Sequence, residues 1–210
     1  MKKALFFTLA LMGFTSTTLR AQSELRALRL NAIVGTRYND FDNAFNVAIK
    51  PEIYSFTLGA GSTLLRNRFL AGSEFSFSSG TKTNSQQSLQ YVGFNTNLFV
   101  GYNLLRGAAW RLEPTVGFSL SNNQLIAQEK QNTAFLNLVN NQTGISTALA
   151  LINVNSLGLC TGLRVGYYVP FSSDTAWQYR ASEADTGLKD NVNAFFVQLT
   201  IGGLINLSKK

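Results

Sequence analysis

Residues Leu157 to Val169 read LGLCTGLRVGYYV. Every second residue gives Leu157, Leu159, Thr161, Leu163, Val165, Tyr167 and Val169, an almost wholly apolar set. Between them lie Gly158, Cys160, Gly162, Arg164, Gly166 and Tyr168, small or polar with one full charge. A period of two belongs to a β-strand whose faces meet different surroundings; a helix would set Arg164 among apolar side chains. The stretch alone fits two architectures. In a soluble sandwich its apolar face meets a second sheet, and in a membrane barrel that face meets lipid while Arg164 faces the lumen.

Composition narrows the choice. The chain has 210 residues, enough for one domain, with 45% hydrophobic and only 14% charged residues. After the N-terminus the longest pure apolar run is Ala148 to Ile152, far short of the ~20 residues of a spanning helix. Apolar content dispersed by alternation, with frequent Gly and rare Pro, suits strands. Histidine is absent, which removes the commonest general base and metal ligand. Cys160 is the single cysteine, so neither an intramolecular disulfide nor a cysteine metal cluster is expected, and it reads as a small strand residue. No metal or cofactor is expected.

Met1-Lys2-Lys3, the apolar stretch Ala4 to Phe14 and the small polar residues up to Ala21 have the three-part pattern of an export signal, with cleavage expected between Ala21 and Gln22. The mature domain is then 22–210. Removing Lys2, Lys3 and Arg20 from the 18 basic residues leaves 15 against 11 acidic ones, a net +4 rather than +7. With no basic cluster interleaved with aromatics, nucleic-acid binding has no support.

Along the mature chain, alternation predicts eight strands: Leu25–Tyr38, a second within Val47–Leu64, a third from Phe69, a fourth at Tyr91–Tyr102, a fifth from Trp110 to Leu120, a sixth at about Gly144–Val154, the opening stretch, and Val192–Leu207. Ile33 breaks the pattern of the first strand, and ALALI blurs the sixth. Short turns are expected at Arg66-Asn67-Arg68, Arg106-Gly107 and Asn155-Ser156. Longer loops are expected at Asn39–Asn46, Gly80–Ser88, Ser121–Thr143 and Pro170–Asn191. Short turns on one side and long loops on the other suit an outer-membrane barrel with periplasmic turns and extracellular loops.

Charge sorting points the same way. Arg29, Glu74, Arg111, Glu113 and Arg164 all fall opposite the apolar sets. An Arg or Lys facing mid-bilayer lipid costs about 2–4 kcal/mol, a penalty that enforces such sorting. Aromatics gather near strand ends, at Tyr38, Phe77, Tyr102, Trp110 and Tyr167, as interfacial belts require. The expected fold class is all-β, an eight-stranded antiparallel up-and-down transmembrane β-barrel, closed because lipid satisfies no open sheet edge.

From about Leu25 to Leu207 the sequence resembles the small eight-stranded outer-membrane β-barrels of Gram-negative bacteria, OmpX-like proteins and the PorT-type barrel family. The resemblance rests on the MKK-type leader ending AQ, on strands such as FNTNLFVGYNLL and LEPTVGFSLS, and on the amphipathic last strand. The chain departs from it by ending INLSKK rather than on an aromatic residue. The resemblance implies an outer-membrane location, lipid as surroundings and the barrel-assembly machinery as a partner.

Three function classes follow. An eight-stranded barrel encloses a lumen that side chains fill, so Arg29, Glu74, Arg111, Glu113 and Arg164 are expected to form an internal ionic network; the alternative is a narrow ion path lined by them. Small-barrel enzymes that the resemblance brings in lean on a histidine, and this chain has none, so no catalysis is expected. Loops on a rigid barrel carry recognition, and Phe135, Leu138, Trp177, Tyr179 and Arg180 are the candidates for contacting an extracellular ligand or protein. A secreted lipocalin-like carrier is the alternative fold, but its lumen would be apolar, not Gly-rich and charged.

Overall fold

The alternating stretches are strands in the computed structural model of the chain, which describes residues 26–41, 53–83, 87–106, 109–129, 135–172, 175–182, 184–189 and 191–207. The expected leader 1–21, most of the Asn39–Asn46 loop and Gly107 lie outside these residues. Among them the strands are β1 (Arg26–Phe41), β2 (Ile53–Arg66), β3 (Phe69–Thr83), β4 (Gln87–Tyr102), β5 (Trp110–Glu129), β6 (Phe135–Val154), β7 (Leu159–Pro170), β8 (Ala176–Tyr179), β9 (Asp185–Lys189) and β10 (Val192–Asn206).

Strands β1 to β7 and β10 form a closed antiparallel barrel. Each pairs with its neighbour in sequence, β7 pairs with β10, and β10 closes on β1. One circuit of the wall runs from Leu28 through Leu64, Ala71, Val100, Val116, Thr147, Tyr167 and Phe195, and returns to β1 at Tyr38. The return lies ten residues beyond the start (28 to 38). That stagger over eight strands, with standard strand spacings, tilts the strands by about 40° and sets a radius of about 8 Å. Such a cylinder has room inside for side chains and little else.

The exterior is the apolar set. Leu30, Phe56, Leu98, Phe118, Leu163 and Leu199 are all close to half exposed. Outward-facing charges among the described strands sit only at the ends, Arg26 and Arg66 paired at the turn side and Asp40 near the other. On β5 the belt runs from Trp110 to Leu120, which at this tilt spans about 25 Å, the height of a bilayer's hydrocarbon band. Aromatics rim it. Phe69 and Tyr102 stack edge-on at 5.1 Å beside the turns, and Tyr38 and Tyr54 meet at 5.0 Å at the upper rim, flanked by Phe195 and Tyr167.

Inward glycines make room for inward aromatics. A Cβ on Gly166 would come within 2.3 Å of the Phe196 ring and one on Gly72 within 2.6 Å of Phe99, their direct cross-strand partners. Those rings lie where side chains would otherwise stand.

Several expectations are corrected. Ser121–Thr143 is mostly strand, because the β5–β6 ladder continues unbroken to Gln128↔Phe135. Above the belt the outer face no longer meets lipid and carries Asn122, Gln124, Asn137 and Asn141, while the inner face mixes polar residues with Leu125 and Leu138 of the mouth, so the apolar-out alternation that marks a lipid-facing strand disappears. Cross-strand polar pairs hold the extension, with the Gln124 Nε2 donating to Asn137 Oδ1 at 2.9 Å. Gly80–Ser88 is likewise largely ladder, paired to Thr83↔Ser88. Pro170–Asn191 contains the β8–β9 hairpin, which adds to the upper edge of β6 at Leu138↔Tyr179 and Val139↔Gln178. The contrast in connection length is thus a contrast in how far strands rise above the belt. The β6–β7 turn takes Asn155 to Gly158 rather than two residues; Asn155 Oδ1 accepts from the backbone of Leu157 and Leu159, and Gly158 has φ 82°. Ile33 faces the lumen with its neighbours Asn31 and Gly35, and β6 alternates cleanly, with Ala148, Ala150 and Ile152 inside.

Candidate functional site

Reading the lumen from turn side to loop side gives four layers. Lowest are two apolar clusters, Ala27, Leu65, Leu70 and Phe99, and Ala150, Ile152 and Cys160, both touching Leu204. Next is a triad. Glu113, 1% exposed, accepts from Arg29 Nη1 at 3.1 Å and Nη2 at 2.8 Å and from Arg111 Nε at 2.7 Å. Two guanidiniums on one carboxylate leave the triad with a net positive charge.

The middle layer holds Arg164, ion-paired to Glu74 and flanked by the rings of Phe196 and Phe99 at 5.3 and 5.8 Å from its guanidinium carbon. Asn97 ties this layer to the wall, its Oδ1 accepting from Ser119 Oγ at 3.0 Å and Ser146 Oγ at 2.8 Å. The same ion pair forms part of the wall of a cavity of about 40 Å³, whose other walls include Ile33, Arg37, Asn95, Tyr168 and Gln198. Above, Tyr91 and Ser121 donate to Asn123 Oδ1 at 2.7 and 3.0 Å. The upper mouth is shut by Phe41, Ile53, Leu89, Tyr91, Leu125, Leu138, Trp177 and Val192, with Trp177 stacked on Phe41 at 6.2 Å.

The five charged residues singled out in the sequence all point inward, but they form two groups rather than one network: Arg29, Arg111 and Glu113 at the turn side, and Glu74 with Arg164 at mid-height. Arg37 belongs with them: the alternation of the first strand sets it on the face of Arg29, although the expected network leaves it out. It lies an even number of residues from Arg29, so alternation places it in the lumen, and it is only 6% exposed. Among the rim candidates, Trp177 and Leu138 are fully buried in the mouth cluster and are not offered to a partner, a correction whose cause is that large apolar side chains above a barrel find cover in its mouth. Tyr179 is 42% exposed and Arg180 is exposed. Phe135 opens β6, and its side chain lies outside the described ones.

No protein-family model and no curated protein matches this sequence. Solved structures do resemble the fold. A major outer membrane protein from Thermus thermophilus aligns at a TM-score of 0.58 and 9% identity, over 86% of this chain and 99% of that one. The outer membrane protein OprG from Pseudomonas aeruginosa aligns at 0.55 and 11% identity, over 87% and 97%. The outer membrane protein AlkL, determined in DMPC lipid bilayers, aligns at 0.54 and 10% identity, over 93% and 98%. At such identities the likeness speaks for the fold. The chain is a small eight-stranded β-barrel of the outer-membrane type, its apolar belt outside and its charges within.

Proposed function

We propose that this protein is an integral barrel of the outer membrane, exported by residues 1–21 and inserted by the barrel-assembly machinery, that works as a filled scaffold presenting its upper hairpins to a surface partner rather than as a pore or a catalyst. One observation carries this: apolar clusters close both ends of a lumen whose middle is occupied by ion pairs. A water-filled path needs a continuous polar bore, and here Trp177 and its neighbours stand across it. The carrier alternative fails on the sidedness of the wall, since a lipid carrier's apolar face is its lumen. The absence of histidine from the sequence agrees with a non-catalytic reading.

The recognition surface in this reading is the β5–β6 extension with the β8–β9 hairpin, where Tyr179 and Arg180 are exposed. Two measurements test it. The folded protein in planar bilayers is expected to give no discrete conductance steps; regular steps would overturn the filled-scaffold reading. Trypsin added to intact cells is expected to cut after Arg180, and a chain that stays whole until the envelope is broken would put the hairpins on the wrong side.

A further inference from the structure

The ion pairs leave one buried guanidinium unaccounted for. Arg37 donates from Nε to Asn39 Oδ1 at 2.9 Å and lies over the Tyr168 ring at 5.6 Å, but its Nη2 has no partner. Among the described residues no carboxylate pairs with it. Four buried guanidiniums, those of Arg29, Arg37, Arg111 and Arg164, share the lumen with the two carboxylates of Glu74 and Glu113. The described lumen therefore carries a surplus of positive charge between two apolar seals.

The walls of the cavity beside Arg37 are equally specific. Asn95 Nδ2 and Tyr168 OH also lack partners and line the same space, as does one acceptor, Gln198 Oε1; the ion pair of Arg164 and Glu74 lines it too, so with Arg37 the charges around the space leave one positive charge over. The two ends of the Gln198 amide are distinguished only by hydrogen bonding, and reversed it offers a further N–H. The guest that this set calls for accepts hydrogen bonds and carries negative charge. At about 40 Å³ the space takes a monatomic ion with a water or two, and nothing the size of a sugar or peptide.

We propose that the lumen binds a halide-sized inorganic anion, held by Arg37 Nη2, Asn95 Nδ2 and Tyr168 OH. Water alone would satisfy the hydrogen bonds but leave a guanidinium buried without a counter-charge, which desolvation makes unfavourable. An anion supplies both the counter-charge and charge-assisted hydrogen bonds. The site lies below the mouth cluster, so the ion is a fixed structural component that offsets the charge of Arg37 and does not conduct. This assignment stands apart from the proposed surface role, and either can fail without the other.

The test needs no variant at first. The full protein is crystallised in sodium bromide and anomalous diffraction is recorded; a bromide peak within hydrogen-bonding distance of Arg37 Nη2 is expected. In parallel, urea unfolding from vesicles is compared in chloride and in gluconate of equal ionic strength, gluconate being too large for the cavity. A folding constant at least tenfold higher in chloride is expected. Asn95→Asp sets a carboxylate against the same cavity and is expected to remove both the bromide peak and the chloride preference while the barrel still folds. A cavity holding only water, or equal unfolding of the natural chain in the two salts, overturns the proposal, as does a bromide peak that survives in Asn95→Asp unchanged.

Discussion

Glu113→Gln is the sharpest probe of how the lumen is held. The carboxylate is 1% exposed and accepts three N–H donors from two guanidiniums that are each 6% exposed. Gln keeps the shape and one carbonyl oxygen but removes the charge. Arg29 and Arg111 then remain buried, adjacent and of like sign, and each lacks a counter-charge. Removing one partner of a buried ion pair costs about 3–5 kcal/mol, whereas an exposed pair contributes about 0–1 kcal/mol. The variant should therefore lose about 3–5 kcal/mol, two to three and a half orders of magnitude in the folding constant. Replacing the triad together, Arg29→Met with Arg111→Leu and Glu113→Leu, removes the uncompensated charges and should recover most of that loss. Both are measured by urea titration of barrels folded into vesicles, followed by tryptophan fluorescence and by the shift of folded barrel on unheated gels. A Glu113→Gln barrel within about 1 kcal/mol of the natural chain, the range of an exposed pair, would mean that water reaches the triad, and the picture of a dry, ion-paired lumen would be refuted.

Two other perturbations address the wall and the mouth. Leu199→Arg places a cation in the middle of the outer belt of β10, where Leu199 is 55% exposed, and should cost about 2–4 kcal/mol in vesicles; the same titration checks it, and an unchanged midpoint would argue against hydrocarbon at that face. Trp177→Ala empties the centre of the mouth cluster, where truncating a buried Trp costs about 3–5 kcal/mol. The loss should be confined to β8, β9 and the upper β5–β6 extension, seen as faster amide exchange there while β1 to β4 keep their protection.

Sidedness was readable residue by residue. Whether a strand position faces hydrocarbon or lumen is a local matter, because neighbouring side chains on a pleated strand point opposite ways and each face has one solvent. Hence the alternation around Arg164, the inward set of five charges and the rims at Tyr38, Tyr102 and Trp110 followed from the chain alone. The same logic faltered above the belt. There the outer face of the β5–β6 extension leaves lipid and turns polar while Leu125 and Leu138 face the mouth, so a ladder rich in Asn and Gln carried the signature of a loop. Which charge meets which was decided only by closure of the barrel. Arg29 reaches Glu113 across 84 residues of sequence and Arg164 reaches Glu74 across 90, and those meetings depend on the ten-residue stagger that sets every strand's height in the lumen. A shift of two residues in a ladder between them would keep every face correct and part Arg29 from Glu113 or Arg164 from Glu74, while Arg111 and Glu113, two residues apart on β5, would stay together. It is this height, invisible to alternation, that pairs Glu74 with Arg164 and leaves Arg37 facing a cavity.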